Sequence, residues 1–151
     1  MPTHYPGKTE EVLALNAFIK FARSFTAVQA RVLPPLQKEF GLTESQFAVL
    51  EALHHLGPLS QGQLCQKILR SGSNVTTVVD NLERDQLVTR ERDQEDRRVQ
   101  MVQLTDTGRA LVVEALPVHV GRITDAMNVL SVDEQLELGR ICRKLGTGLE
   151  R

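Results

Sequence analysis

Ser73, Asn74, Thr76, Thr77, Asn81 and Arg84 crowd hydroxyl, amide and guanidinium groups into one short stretch, and Ser71 stands just ahead of them. Groups of this size and chemistry hydrogen-bond to base edges and phosphate oxygens, so the stretch suits the floor of a DNA groove. The same residues would also make an ordinary solvated face. A second cluster, Asp96, Arg97 and Arg98, sets two guanidinium groups beside a carboxylate that can orient them, as a narrow minor groove requires. Catalysis finds no such support. There is no glycine-rich phosphate loop, nucleophile motif or metal-ligand spacing, so no catalytic residue, cofactor or metal is expected. His54 and His55 adjoin each other, and with no carboxylate or Cys noted at ligand spacing they read as structural.

The elements that must hold these groups follow from periodicity. Val75, Val78, Val79 and Leu82 recur at helical spacing and demand burial, which turns Ser73, Thr77, Asp80 and Arg84 to the opposite side with Asn74, Thr76 and Asn81 on the flanks. Leu87 to Arg92 and Arg98 to Leu104 read as strands, and residues 93 to 97 between them are polar enough only for a hairpin tip. Helix followed by hairpin predicts a winged helix, with the helix in the major groove and the tip over the backbone or minor groove. Arg97 and Arg98 then sit at the tip.

The string Ser73-Asn74-Val75-Thr76-Thr77-Val78-Val79-Asp80-Asn81-Leu82-Glu83-Arg84, then Leu87-Val88, Asp96-Arg97-Arg98, Leu104-Thr105 and Gly108, resembles the MarR (multiple antibiotic resistance regulator) family of bacterial transcription factors. The Asp-x-Arg wing followed by Leu-Thr, with Val-Asp-x-Leu upstream, carries the resemblance, which spans residues 10 to 150. It departs at Gln86, where the family often has a glycine ending the helix in a left-handed turn. If that turn persists, Gln86 carries strain of about 1 kcal/mol. The resemblance implies a homodimer built from the terminal helices, binding a palindromic operator on double-stranded DNA and released by a small effector. It also implies a repressor. Peroxide sensing through a cysteine in the first helix is disfavoured, because that helix has none.

The chain of 151 residues fits one protomer, with a winged helix-turn-helix at 43–105 and dimerisation helices at 10–40 and 106–151. The expected fold class is mainly α with a small β-hairpin wing. No apolar run approaches the roughly 18 residues a membrane span needs, and the polar, proline-bearing start does not read as a signal peptide, so the expected location is the cytoplasm. Cys65 and Cys142 form no disulfide framework and are expected to be reduced, Cys65 as a buried inert thiol. Net charge is −1, and residues 60–109 hold eight Lys/Arg against eight Asp/Glu. DNA binding must therefore rest on where the arginines stand, with Asp80, Asp93 and Asp96 orienting them. The neutral count equally allows a winged-helix protein-interaction module without DNA binding.

Flanking elements complete the prediction. A long helix from about Glu10 to Leu33 carries Phe18 and Phe25, and Pro34-Pro35 interrupts it before a short segment reaching Phe40. Thr43 with Gln46, Ser60 with Gln63, and Ser131 with Glu134 read as capping boxes, and Arg70-Ser71-Gly72 as the turn into the reading helix. Pro117 should kink the helix that begins after Thr105. The last helix presents Leu138, Ile141, Cys142, Leu145 and Leu149. An effector pocket is expected where Phe18, Phe21 and Phe25 approach His54 and His55, an apolar site suited to a small aromatic or phenolic compound.

Overall fold

A computed structural model describes residues 3–68 and 72–150, with the backbone alone at 72 and 73. The order of elements is α1 (Thr9–Phe40), α2 (Glu44–Leu56), β1 (Leu59–Ser60), α3 (Gln61–Ile68), α4 (Gly72–Arg84), β2 (Val88–Arg92), β3 (Gln100–Leu104), α5 (Asp106–Met127) and α6 (Val132–Leu149). The chain is thus mainly helical with one small antiparallel sheet. Among the described residues no helix is long and apolar enough to cross a membrane. The expected turn Arg70-Ser71-Gly72 lies outside the described residues in its first two positions.

Two compact units are present, one formed by Leu33–His119 and the other by Met1–Val32 with Val120–Arg151. The first holds the hydrophobic core. Leu36 from α1, Leu50 and Leu53 from α2, Leu64 from α3, Val75, Val79 and Leu82 from α4, Val88 and Val102 from the sheet, and Val112 and Ala115 from α5 are all buried in one cluster. Helices α2 and α3 enter this core with the reciprocal caps that the sequence announces. Thr43 Oγ1 accepts from the Gln46 N–H at 3.2 Å and Gln46 Oε1 accepts from the Thr43 N–H at 3.0 Å; Ser60 and Gln63 repeat the pattern at 3.1 and 2.9 Å.

The sheet has the order β1-β3-β2. Pairing of Val88 with Leu104, Arg90 with Val102 and Arg92 with Gln100 sets the register of the wing, and Leu59 pairs with Val102 from the other side. The two-residue strand β1 was not expected, because it exists only through these bonds to β3. Both wing strands are also shorter than expected. Leu87 belongs to the turn that closes α4, where its N–H donates to the Leu82 carbonyl while the Gln86 N–H donates to the Glu83 carbonyl, the paired bonds of a helix closed by a left-handed residue. Gln86 has φ of 62°, so the turn the family makes with glycine is kept here with a side chain. Gly108 answers a different demand: a Cβ there would run into the Leu87 carbonyl, which itself accepts from the Thr105 N–H.

Helix α1 corrects the sequence reading. Pro34 and Pro35 lie inside one continuous helix instead of ending it. Their missing N–H groups cost the helix two backbone bonds, but Val32 and Leu36 on either side are 5% and 0% exposed, and the burial of both holds the helical path. Pro117 likewise falls within α5, two residues before the boundary between the units.

In the other unit, Ser131 and Glu134 form the third capping box, at 3.2 and 2.8 Å, and start α6. That helix has no buried residue, although Leu138, Ile141 and Leu145 stand along it. With Phe18, Phe21 and Ala17 of α1 they line an apolar concavity of about 600 Å3.

Candidate nucleic-acid interface

The reading helix α4 is divided between core and surface as its period requires. Val75, Val79 and Leu82 are fully buried, while Asn74, Thr76, Thr77 and Asp80 are exposed. Arg84, at the end of the helix, is largely exposed and pairs with Asp85 at 3.3 Å, and Asn81 is half-buried. Ser71 and the side chain of Ser73 lie outside the described residues. Thr76 is tied to the helix before it, since Gln61 Nε2 donates to Thr76 Oγ1 at 2.7 Å. This bond joins the first residue of α3 to the exposed face of α4, and sequence periodicity held no sign of it.

At the other end of the hairpin the tip is ordered by its own side chains. The Asp93 N–H donates to the Val99 carbonyl at 2.8 Å, and the Val99 N–H to Asp96 at 3.0 Å, so β3 starts two residues later than expected and Arg98 belongs to the turn. Asp96 Oδ1 accepts from both the backbone N–H and Nε of Arg98 at 3.1 Å, and Oδ2 accepts from Nη2 at 3.3 Å. Three bonds to one carboxylate leave the guanidinium little rotational freedom. The Arg98 side chain is nevertheless 91% exposed, so it is aimed outward while being held. Bonding to Arg98, first through its side chain and then its backbone, holds the Asp96 carboxyl below its ordinary range. Arg97 is exposed on the same turn.

Asp80 does orient an arginine, though not one at the tip. Arg90 Nη2 lies 2.6 Å from Asp80 Oδ1 and 3.0 Å from Glu83 Oε1, bridging α4 to β2. The bond to Arg90 holds the Glu83 carboxyl below its ordinary range as well. Arg90 and Glu83 were missed at the sequence level, yet the alternation of β2 puts Arg90 on the face of buried Val88, which was a legible signal.

This arrangement has known counterparts. The model of the MarR family matches residues 42–99. The HTH-type transcriptional regulator YkoM of Bacillus subtilis (strain 168) is 38% identical over 88% of this chain and 86% of its own. The chain belongs to the MarR family. It is therefore built as a transcription regulator, and the fold is not one of an enzyme. Among solved structures, the MarR regulator Sco3205 of Streptomyces coelicolor, in complex with DNA, is 25% identical and aligns with a TM-score of 0.85 over 99% of this chain and 94% of its own. Bordetella bronchiseptica BpsR, whose DNA binding is regulated by 6-hydroxynicotinic acid, is 27% identical with a TM-score of 0.78 over 87% and 98%.

The remaining site residues belong to different units. Phe18 and Phe21 line the concavity against α6, and Phe25 is exposed on α1. His54 and His55 belong to α2, in the other unit, with their ring centroids 5.1 Å apart. Here one sequence reading is corrected: Glu51 does stand at ligand spacing, one turn before His55, and its Oε1 is 3.9 Å from His55 Nε2. Both side chains are partly exposed, and no cluster of three or more His, Cys, Asp or Glu side chains fit to hold an ion occurs among the described residues.

Proposed function

We propose that this chain is a ligand-responsive homodimeric repressor that binds a palindromic operator in the cytoplasm. Each protomer places α4 in the major groove and Arg98 at the adjacent minor groove, with half-sites about one helical turn apart. The observation that carries this reading is the pairing of an exposed hydroxyl-and-amide face on α4 with an outward guanidinium held by Asp96. Net charge contributes little at −1, so affinity comes from placement.

Helices within 10–40 and 106–151 form the dimer interface. Exposed Phe18, Phe21, Leu138, Ile141 and Leu145 support this, because apolar side chains in such a group are rarely left to water. A small aromatic or phenolic acid is the effector class, as for BpsR, and Phe18, Phe21 and Phe25 with His54 and His55 are the residues proposed to respond to it. Release needs only a few kcal/mol of differential affinity between bound and free states.

Fluorescence anisotropy on a duplex from the chain's own promoter tests the function. Affinity should fall steeply between two salt concentrations and exceed that for a random duplex, since phosphate contacts release counterions. Binding that is absent or indifferent to salt would leave the protein-interaction module as the better reading. Sedimentation of the intact chain as a monomer at micromolar concentration would remove the dimer.

A further inference from the structure

Within the wing, two arginines stand in opposite surroundings. Arg98 at the tip is 91% exposed, whereas Arg90 at the base is 20% exposed and faces α4. Arg90 is held at three points: Nη2 to Asp80 Oδ1 at 2.6 Å, Nη2 to Glu83 Oε1 at 3.0 Å, and its backbone N–H to Glu83 Oε2 at 3.2 Å. Asp80 and Glu83 stand three residues apart on α4, so they share one edge of the helix and a single guanidinium reaches both. The main-chain bond fixes the strand at the same place. Because Arg90 is largely shielded from water, these pairs are screened less by salt than the exposed pair at the tip.

We propose that Arg90 is a positioning residue that sets the angle between wing and reading helix, so that Arg98 and the base-reading face of α4 engage DNA as one rigid body. The proposal rests on the DNA-binding function proposed for α4 and the wing. Its physical basis is leverage. Beyond Arg92 and Gln100 the paired strands end, and the tip that carries Arg98 is a turn joined to the sheet only through a short hairpin, an element that holds its shape poorly by itself. A small rotation at Arg90 becomes a displacement of the Arg98 guanidinium larger than the reach of a hydrogen bond. Both carboxylates are met by the one nitrogen Nη2, so the contact depends on where the side chain carries that nitrogen as well as on its charge.

The test is a double-mutant cycle between Arg90→Met and Arg98→Ala, read by anisotropy on the promoter duplex and on a random duplex of equal length. In the wild-type background Arg98→Ala should weaken specific binding about tenfold or more, and in the Arg90→Met background less than about threefold, because a wing without a fixed angle has already lost that contact. A merely structural role would lower both duplex affinities in proportion and leave the effect of Arg98→Ala unchanged, which would overturn the proposal. Arg90→Lys keeps one charged nitrogen able to meet both carboxylates, so it should recover more of the coupling than Arg90→Met; coupling no greater than in the Met variant would also overturn the proposal. Should Arg90→Met fail to fold, Asp80→Asn and Glu83→Gln each remove one prong and should each reduce the coupling. If the wild type shows no salt-dependent preference for the promoter duplex, the DNA-binding reading has failed; if it does and the coupling is absent, only the role of Arg90 has.

Discussion

Helices α4 and α6 carry apolar stripes at the same spacing, but Val75, Val79 and Leu82 of α4 are sealed from water while Leu138, Ile141 and Leu145 of α6 remain 38 to 50% exposed. The difference extends to the units that contain them. Every buried hydrophobic of the described residues except Val32 belongs to Leu33–His119, so that unit closes its own core and the other does not. An amphipathic pattern records only that a face must be covered. What covers it can be the same protomer, as for α4, or another one, as proposed for α6. The reading head consequently closes its core in a single chain, whereas the terminal helices leave an apolar face that the proposed second copy would cover.

The sharpest way to break that comparison is to truncate one leucine on each helix. Leu82→Ala opens a cavity in a closed core and should cost about 2–5 kcal/mol in chemical denaturation. Leu145→Ala, in protein dilute enough to be monomeric, should cost well under about 1 kcal/mol, because its side chain is already half in water, while weakening association. Equal losses would mean that α6 is as fully packed within its own protomer as α4. A smaller effect is expected where the wing meets α5. Gly108→Ala drives a methyl group into the Leu87 carbonyl and should destabilise by about 1–3 kcal/mol. An Ala variant of unchanged melting temperature would show that this close approach is not tight. Smallest is Gln86→Gly, which relieves a left-handed side-chain residue and should stabilise by about 1 kcal/mol or less. Destabilisation by Gly would show that Gln86 is held there by more than the needs of the turn.

How much of this could be read from the chain depended on the range of the interaction. All three capping boxes were legible, because Thr43 with Gln46, Ser60 with Gln63 and Ser131 with Glu134 are complete within four residues. The buried stripe of α4 and the left-handed Gln86 were legible for the same reason. Pro34 and Pro35 misled, since local torsional preference predicts a break and burial of Val32 and Leu36 overrides it. Strand β1 was invisible, because two residues have no period and Leu59–Ser60 becomes a strand only by pairing with Val102 and Met101. At the site, the Asp96–Arg98 pair followed from adjacency. The Gln61–Thr76 bond and the Asp80–Arg90–Glu83 bridge did not, as each joins residues of different elements.

If the placement of a few arginines, not net charge, gives a near-neutral protein its grip on DNA, Asp96 is where the two can be told apart. Replacing Asp96 with Ala removes a negative charge from the tip and at the same time frees Arg98 from the carboxylate that orients it. Anisotropy on the promoter duplex should show Asp96→Ala binding more weakly than wild type, in the same direction as Arg98→Ala, which should lose about 1–3 kcal/mol with a shallower salt dependence. Tighter binding by Asp96→Ala than by the wild type would contradict this, because charge alone would then govern the wing and the orientation of Arg98 would count for nothing.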